Sequence, residues 1–331
     1  MYESLDLNGK TVLVTGGAGY IGANLALRIE SMYPDAKVIA FDSFRLGDYR
    51  ALDGFRGQFI GGDITCPADL ARLSSFRFDA IFHEAAISDT RVNDQALMLN
   101  VNTNAFRDIL ELAAEHRSAV VYASSAAVYG SATAPNRVGN GESPETVYGF
   151  SKLMMERVAD AYAERLEGRI TGLRYFNVYG PGEFYKGSTA SMILQLGVQA
   201  LQTGRARLYE YGGQSRDFVY IEDVIQANLR CLAREPGADR SAKVFNVGAG
   251  EARPFNDIVA ALRESLGISI DIEYIPNPHS TYQVHTEADI EPIVSAVGYS
   301  PQFRLEAGVK AYTPEILRIA EQLGTPRTRA A

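Results

Sequence analysis

The stretch Thr11-Val-Leu-Val-Thr-Gly-Gly-Ala-Gly-Tyr-Ile-Gly22 decides how the chain is read. Thr11 to Thr15 is a short β-rich run that ends in glycines, and Ile21, Leu25, Leu27 and Ile29 then recur at helical spacing as far as Met32. That is strand, turn, helix. Lys37 to Phe41 is a second strand ending at Asp42, and Gln58 to Gly61 a third, followed by Asp63 and a helix starting near Pro67. Ala80 to Phe82 runs into His83-Glu-Ala-Ala86, Asn100 to His116 is a long helix and Ala119 to Ala123 a fifth strand. Tyr148 to Leu166 and Ile170 to Arg174 continue the alternation as helix and sixth strand. Strands this apolar, without period-two polarity, imply a parallel sheet covered on both faces.

The expected fold is therefore α/β, a Rossmann-type doubly wound parallel sheet. After Asn177 the regularity weakens through Gly180, Pro181, Gly182 and Gly187, which suits ligand recognition better than core building. A helix from about Thr189 to Thr203, one leading from Asp223 through Arg234, one from Phe255 to Leu266 and one near Leu305 to Leu323 follow, with strands at Val244 to Val247 and Ile270 to Tyr274. We expect a dinucleotide-binding domain of residues 1–177 plus about 215–243, and a smaller, discontinuous α/β substrate-binding domain of about 178–214 plus 244–331.

With 331 residues and 46% hydrophobic content, the chain can bury a large core. Its net charge of -8 argues against a nucleic-acid or anionic-membrane partner, both of which need a basic surface. No run approaches the roughly 18 apolar residues of a membrane span, and Glu3 and Asp6 give the start no secretory character. Cys66 and Cys231 are far apart and the histidines show no ligand spacing, so neither a disulfide framework nor a metal site is expected. A reducing cytoplasmic setting fits best.

Gly16, Gly19 and Gly22 form Gly-x-x-Gly-x-x-Gly between a buried strand and a helix. Glycines permit a tight turn close to a pyrophosphate, and the helix N-terminus favours its charge. With Asp42 at the end of the next strand, the pattern points to a dinucleotide. Asp42 would accept from the adenosine ribose hydroxyls, which favours NAD, whereas Arg45 and Arg50 beside it could hold the phosphate of NADP. Tyr148 and Lys152 in Val-Tyr-Gly-Phe-Ser-Lys152 stand i,i+4, one face of a helix, where an ammonium can favour a phenolate. Ser124 and Ser125 leave the fifth strand at the edge where open α/β sheets bind ligands.

The order of glycine loop, Ser-Ser before Val-Tyr-Gly130, Tyr148-x-x-x-Lys152 and Arg174-Tyr-Phe-Asn-Val-Tyr-Gly-Pro181 resembles the extended short-chain dehydrogenase/reductase superfamily, which works mainly on nucleotide sugars. The resemblance implies Tyr148 as acid/base, Lys152 on the nicotinamide ribose and Ser125 orienting the substrate. A narrower resemblance, carried by Phe82 to Ala86, Lys186-Gly-Ser-Thr-Ala-Ser191, Arg216-Asp-Phe-Val-Tyr220 and Tyr274-Ile-Pro-Asn-Pro278 with Tyr282-Gln, is to the ADP-glyceromanno-heptose 6-epimerases. These invert C6″ of a sugar used in lipopolysaccharide core assembly.

That resemblance implies Lys186 as a second acid/base. It also implies substrate contacts at Ser88, Ser125, Asn177, Lys186, Ser188, Gln195, Tyr209, Arg216 and Tyr282. Cofactor contacts would fall to Gly16, Gly19, Tyr20, Ile21, Gly22, Asp42, Ser43, Arg45, Asp63, Ile64, Glu84, Ala85, Ala86, Ser88, Asn100, Lys152 and Val178. The expected cofactor is tightly bound NADP, with NAD as the alternative, in a homo-oligomer associating through the helices at Asn100 to His116 and Tyr148 to Leu166. The expected reaction is oxidation at C6″ to a ketone and re-reduction on the opposite face, which calls for a proton-transfer group on each side. Other readings are a different epimerase of the superfamily, such as a 4-epimerase, or a 4,6-dehydratase. The dehydratase is disfavoured because Ser125 is followed by Ala126 and Ala127, not an Asp-Glu pair.

Two departures from the heptose enzymes stand out. Tyr49 stands where they place a phosphate-binding lysine, and Ala51 to Asp69 looks more like the wider superfamily; the Tyr209 to Ser215 loop is also no obvious match, which leaves a different nucleotide-linked heptose or hexose open.

Overall fold

The computed structural model describes residues 5–238, 240–277 and 283–324. Six strands alternate with helices through the first half: β1 (Thr11–Thr15), α1 (Tyr20–Met32), β2 (Lys37–Asp42), β3 (Gln58–Gly61), α2 (Pro67–Ala71), β4 (Ala80–His83), α3 (Gln95–Leu99), α4 (Ala105–His116), β5 (Ala119–Ser125), α5 (Val147–Tyr162) and β6 (Ile170–Tyr175). The second half contributes β7 (Asn177–Tyr179), α6 (Met192–Thr203), β8 (Arg205–Tyr209), β9 (Ser215–Tyr220), α7 (Ile221–Leu232), β10 (Lys243–Val247), β11 (Ala252–Pro254), α8 (Phe255–Leu266), β12 (Asp271–Ile275), α9 (Glu291–Val297) and α10 (Leu305–Gln322). Seven strands make one parallel sheet in the order β10-β6-β5-β4-β1-β2-β3. The chain reverses its direction of winding at β1, between β4 and β2, and that is where a doubly wound sheet opens a crevice.

Both faces of the sheet are buried. Val12 and Val14 point into a core shared with Leu25 and Ile29 of α1 and Val224 of α7, whereas Leu13 between them joins Phe106 and Ile109 of α4 and Met155 of α5. The first of these cores runs on without a break into Ile193, Ile258, Val309 and Ile316 of α6, α8 and α10. Around those helices lie a three-stranded sheet, β11-β9-β7, and the parallel pair β12-β8.

Several element limits differ from the sequence reading. The helix expected from Asn100 starts at Gln95, because the Asp94 carboxylate caps it by accepting from Leu97 N–H at 3.0 Å; a π turn at Asn100–Asn104 then joins α3 to α4. The helix expected from Thr189 starts at Met192, where the Ser191 hydroxyl caps it. The helices expected to reach Leu166 and Arg234 end at Tyr162 and Leu232. α9 is an additional helix. β10 pairs with β6 along its whole length, so the seventh strand of the large sheet continues through Val247 past the expected boundary at 243.

A buried ion network ties α5 to the sheet. Arg174 of β6, 2% exposed, donates to both oxygens of Glu156 on α5 at 2.9 and 2.7 Å and to Glu142 at 2.7 Å, while the Ser124 hydroxyl of β5 donates to Glu156 at 2.5 Å. Removing one partner of such a pair leaves its counter-charge stranded. Arg174→Leu is expected to lower unfolding free energy in urea by about 3–5 kcal/mol, whereas Lys10→Ala, which breaks the exposed Lys10–Asp79 pair, should cost at most about 1 kcal/mol. Equal losses for the two variants would contradict the network's role.

Candidate active site

The carboxyl ends of β1, β4 and β5 and the loops beyond them open into a cleft of about 390 Å³. Sites for one small molecule usually occupy roughly 300–1,000 Å³.

At one end the chain turns between β1 and α1. Gly16 has φ +69°, and a Cβ there would stand 2.6 Å from Ala85 N, while a Cβ at Gly22 would stand 2.2 Å from Gly16 O. The loop accepts no side chain at either position, so its backbone can approach a pyrophosphate at the start of α1. Asp42 closes this end, accepting from Ala18 N–H at 3.0 Å and Phe44 N–H at 2.7 Å, with lone pairs left for a ribose. Burial pushes its carboxyl upward. The two nearby arginines separate: Arg50 spends its guanidinium on Asp48 at 2.7 and 2.8 Å, whereas Arg45 lines the cleft with Ser43, Asp63 and Ile64. A dinucleotide fits the residues present.

In the middle stands the pair read from the sequence. Thr146 caps α5 by accepting from Gly149 N–H at 3.0 Å, which starts the helix where Tyr148 and Lys152 share one face. The Lys152 ammonium, 1% exposed, donates to the Ala123 carbonyl at 2.7 Å and lies 5.8 Å from the Tyr148 ring centroid. Ser125 lines the cleft with Tyr148 and draws its phenol downward. The expected lowering of the phenol's pKa is not what the protein alone produces. Burial pushes Tyr148 above its ordinary value, outweighing the pull of Ser125, and Glu84 adds to the rise. Burial also brings Lys152 down to about 8, with Glu84 and Glu156 opposing.

Glu84 follows β4 and accepts from the Tyr175 hydroxyl at 2.9 Å, and Asn228 of α7 donates to that hydroxyl at 2.9 Å. Its carboxyl is raised to about 7 by burial, against the pull of Tyr175 and Lys152. His83, immediately before it, bonds Thr15 at 2.8 Å and stacks on Phe106, and burial lowers it to about 3, so it stays neutral.

Across the cleft lies Lys186, half-buried, its Nζ 5.0 Å from the centroid of the Tyr20 ring. Burial lowers its pKa, with Glu183 pulling it back up. The glycine loop, Tyr20, Ile21, Asp42, Ser43, Arg45, Asp63, Ile64, Glu84, Ala85, Ala86, Ser88, Ser125, Tyr148, Lys152, Val178 and Lys186 thus converge on one cleft.

Other expected contacts lie off its walls. Asn100 is exposed on the π turn, next to Val101, which does line the cleft. Asn177 donates to the Asp217 carbonyl at 3.2 Å, Gln195 to the Ala190 carbonyl at 2.7 Å, and exposed Ser188 meets Arg91 at 3.3 Å. Tyr209 ends β8, and Arg216, 8% exposed, packs over Phe255. Tyr282 lies outside the described residues. Asp217 does not form the surface pair with Arg216 that its neighbour position suggests: its carboxylate accepts from Ala249, Gly250 and Ala288 N–H at 2.6, 3.0 and 3.1 Å. Sequence reasoning missed Tyr175 and Tyr185 as cleft residues. Tyr175 sits inside a motif already singled out, but its partner Glu84 is 91 residues away. Among the described residues no His, Cys, Asp and Glu cluster could hold a metal, and no helix is long and apolar enough to cross a membrane.

A doubly wound α/β sheet with a glycine loop at its switch point, and a tyrosine and lysine on one helix beside it, defines a dinucleotide-dependent enzyme. The pattern of the NAD dependent epimerase/dehydratase family matches residues 12–248, and the chain belongs to that family, within the extended short-chain dehydrogenase/reductases. The Helicobacter pylori ADP-L-glycero-D-manno-heptose-6-epimerase is 46% identical, with a TM-score of 0.89 over 96% of this chain and 99% of that one. MoeE5 in complex with UDP-glucose and NAD is 29% identical, TM-score 0.78, over 95% of this chain and 100% of that one. The UDP-glucose 4-epimerase of Thermotoga maritima is 25% identical, TM-score 0.82, over 95% and 99%.

The raised carboxyl of Glu84 has a consequence for stability. The folded protein keeps this proton to about 7 and the unfolded chain releases it near 4.5, so the contribution is full below 4.5 and lost as pH climbs towards 7. Glu84→Gln removes that loss. Its melting temperature relative to the parent is expected to rise steadily from pH 5 to about pH 7, measured by calorimetry; a constant difference across the window would refute the burial of charge at this position.

Proposed function

We propose that the protein is a nucleotide-sugar epimerase that inverts C6″ of an ADP-linked glycero-manno-heptose. The observation that carries the reading is the presence of two separate proton-transfer groups, Tyr148 and Lys186, on the walls of one cleft that fits a dinucleotide. A simple dehydrogenase needs one such group. An enzyme that hands a carbon's hydrogen back to the opposite face gains from two. The likeness to the H. pylori heptose epimerase over nearly the full length supports the sugar.

The bound nicotinamide supplies reversible acceptance and return of the C6″ hydride, so the overall reaction is redox-neutral. Tyr148, oriented by Ser125, takes the proton of the C6″ hydroxyl as the ketone forms. Lys186, charged, returns a proton to the ketone oxygen after the sugar has turned, and the roles exchange in the reverse direction. Lys152 holds the ribose and, as a cation beside the phenol, favours its ionised form. Arg216 binds the diphosphate through its paired donors. Arg45, uncommitted to a carboxylate where Arg50 is committed, supports NADP over NAD.

Tyr148→Phe and Lys186→Ala are each expected to lower kcat by about 10²–10⁴-fold with cofactor retained. Incubation with ADP-heptose, followed by NMR of the C6″ configuration, reads this directly; unchanged stereochemistry with the parent protein would sink the substrate assignment. Arg45→Ala is expected to weaken NADP by about tenfold or more and leave NAD nearly unaffected, as measured by calorimetric titration. A parallel loss of both would favour NAD.

A further inference from the structure

Glu183 stands three residues before Lys186 and is completely buried. Its two carboxylate oxygens are both engaged by Ser191, one accepting from the backbone N–H and the other from the hydroxyl, each at 2.6 Å. The intervening turn is closed by Lys186 N–H donating to the Glu183 carbonyl at 3.0 Å and by the Thr189 hydroxyl donating to the Lys186 carbonyl at 2.8 Å. On its other side the Lys186 amine leans on the ring of Tyr20 at the start of α1.

The remaining titratable groups around this turn are Tyr20 from α1, Tyr220 at the end of β9, and Tyr312 and Glu315 from α10. Glu315 accepts from Gly182 N–H at 3.0 Å, at the base of the same loop. Of these groups Glu183 is the one whose charge reaches Lys186.

A buried carboxylate is expensive unless its oxygens are bonded; burial pushes the Glu183 carboxyl upward, and the Lys186 charge and the two Ser191 bonds oppose that rise. Held this way, the carboxylate cannot swing to form a contact pair with the amine. Its charge acts through space, strongly because little water intervenes. The amine's three donors therefore stay directed to the cleft and the Tyr20 face.

We propose that Glu183 is a positioning residue for Lys186: pinned by Ser191, it supplies the negative field that keeps the amine charged in the cleft while leaving its N–H groups for the substrate oxygen. This rests on the reading of Lys186 as a proton donor. Burial weakens the amine's hold on its proton, and Glu183 opposes that.

The test is competitive acetylation of the full-length, cofactor-bound protein with acetic anhydride across a pH series, with Lys186 quantified by mass spectrometry. Glu183→Gln keeps an acceptor for Ser191 and removes the charge. The midpoint at which Lys186 becomes reactive is expected to fall by about one pH unit or more, and the alkaline limb of kcat to move down with it while KM changes less. An unchanged midpoint in folded Glu183→Gln overturns the proposal. Should that variant fail to fold, Glu183→Asp, which withdraws the charge by one methylene, must lower the midpoint; no movement there also overturns it. The acetylation readout needs no turnover. A shifted midpoint in a protein that leaves ADP-heptose unchanged would reject the epimerase reading and keep this one.

Discussion

The pairing of Arg174 with Glu156 is the constraint on which the site's geometry depends. Glu156 sits on α5 one helical turn past Lys152, and Arg174 sits on β6 beside the strand that carries Ser124 and Ser125. Because Ser124 also donates to Glu156, one carboxylate locks a helix to two strands at once. The face of α5 that carries Tyr148 and Lys152 cannot rotate or slide without breaking charged bonds in a buried region. Such a network is costly to assemble and costly to break, which suits a helix whose position must be single-valued.

Around that anchor the protein arranges charge in a repeated way. Each of the two cleft lysines is sheltered from water and each has a carboxylate that opposes the loss of its charge. Lys152 has Glu84, tied to Tyr175 and Asn228, and Lys186 has Glu183, tied to Ser191. In neither case are the carboxylate's bonds spent on the lysine itself. Desolvation lowers both amines from their ordinary range, and the fixed anions oppose that loss of charge. This balance is what the proposed proton transfer on both sides of a sugar would need.

The continuity of the core matters equally. Helices α6, α8 and α10 share one apolar cluster with α1 and α7, so the loop carrying Lys186 is braced against the element that carries the glycine turn. Asp217 adds a second brace, gathering the backbone of residues 249, 250 and 288 around one carboxylate. Its neighbour Arg216 thereby sits on a fixed strand and not on a loose loop.

Local spacing settled the alternation of strands and helices, the glycine turn, and Tyr148 with Lys152 on one helical face, because each depends on residues within a few positions of one another. The family resemblance marked Lys186, and the position beside Asp42 marked Arg45. Helix limits at Gln95 and Met192 escaped because single capping side chains, Asp94 and Ser191, set them. What the chain's order could not say is who faces whom across long separations: Tyr175 against Glu84, Tyr20 under Lys186, Arg50 bound to Asp48 with Arg45 left to the cleft. Nor could it say that burial raises the Tyr148 phenol. Desolvation and long-range partners exist only once the elements pack, so the acid and base strengths of this site belong to the tertiary structure, while its cast of residues belongs to the sequence.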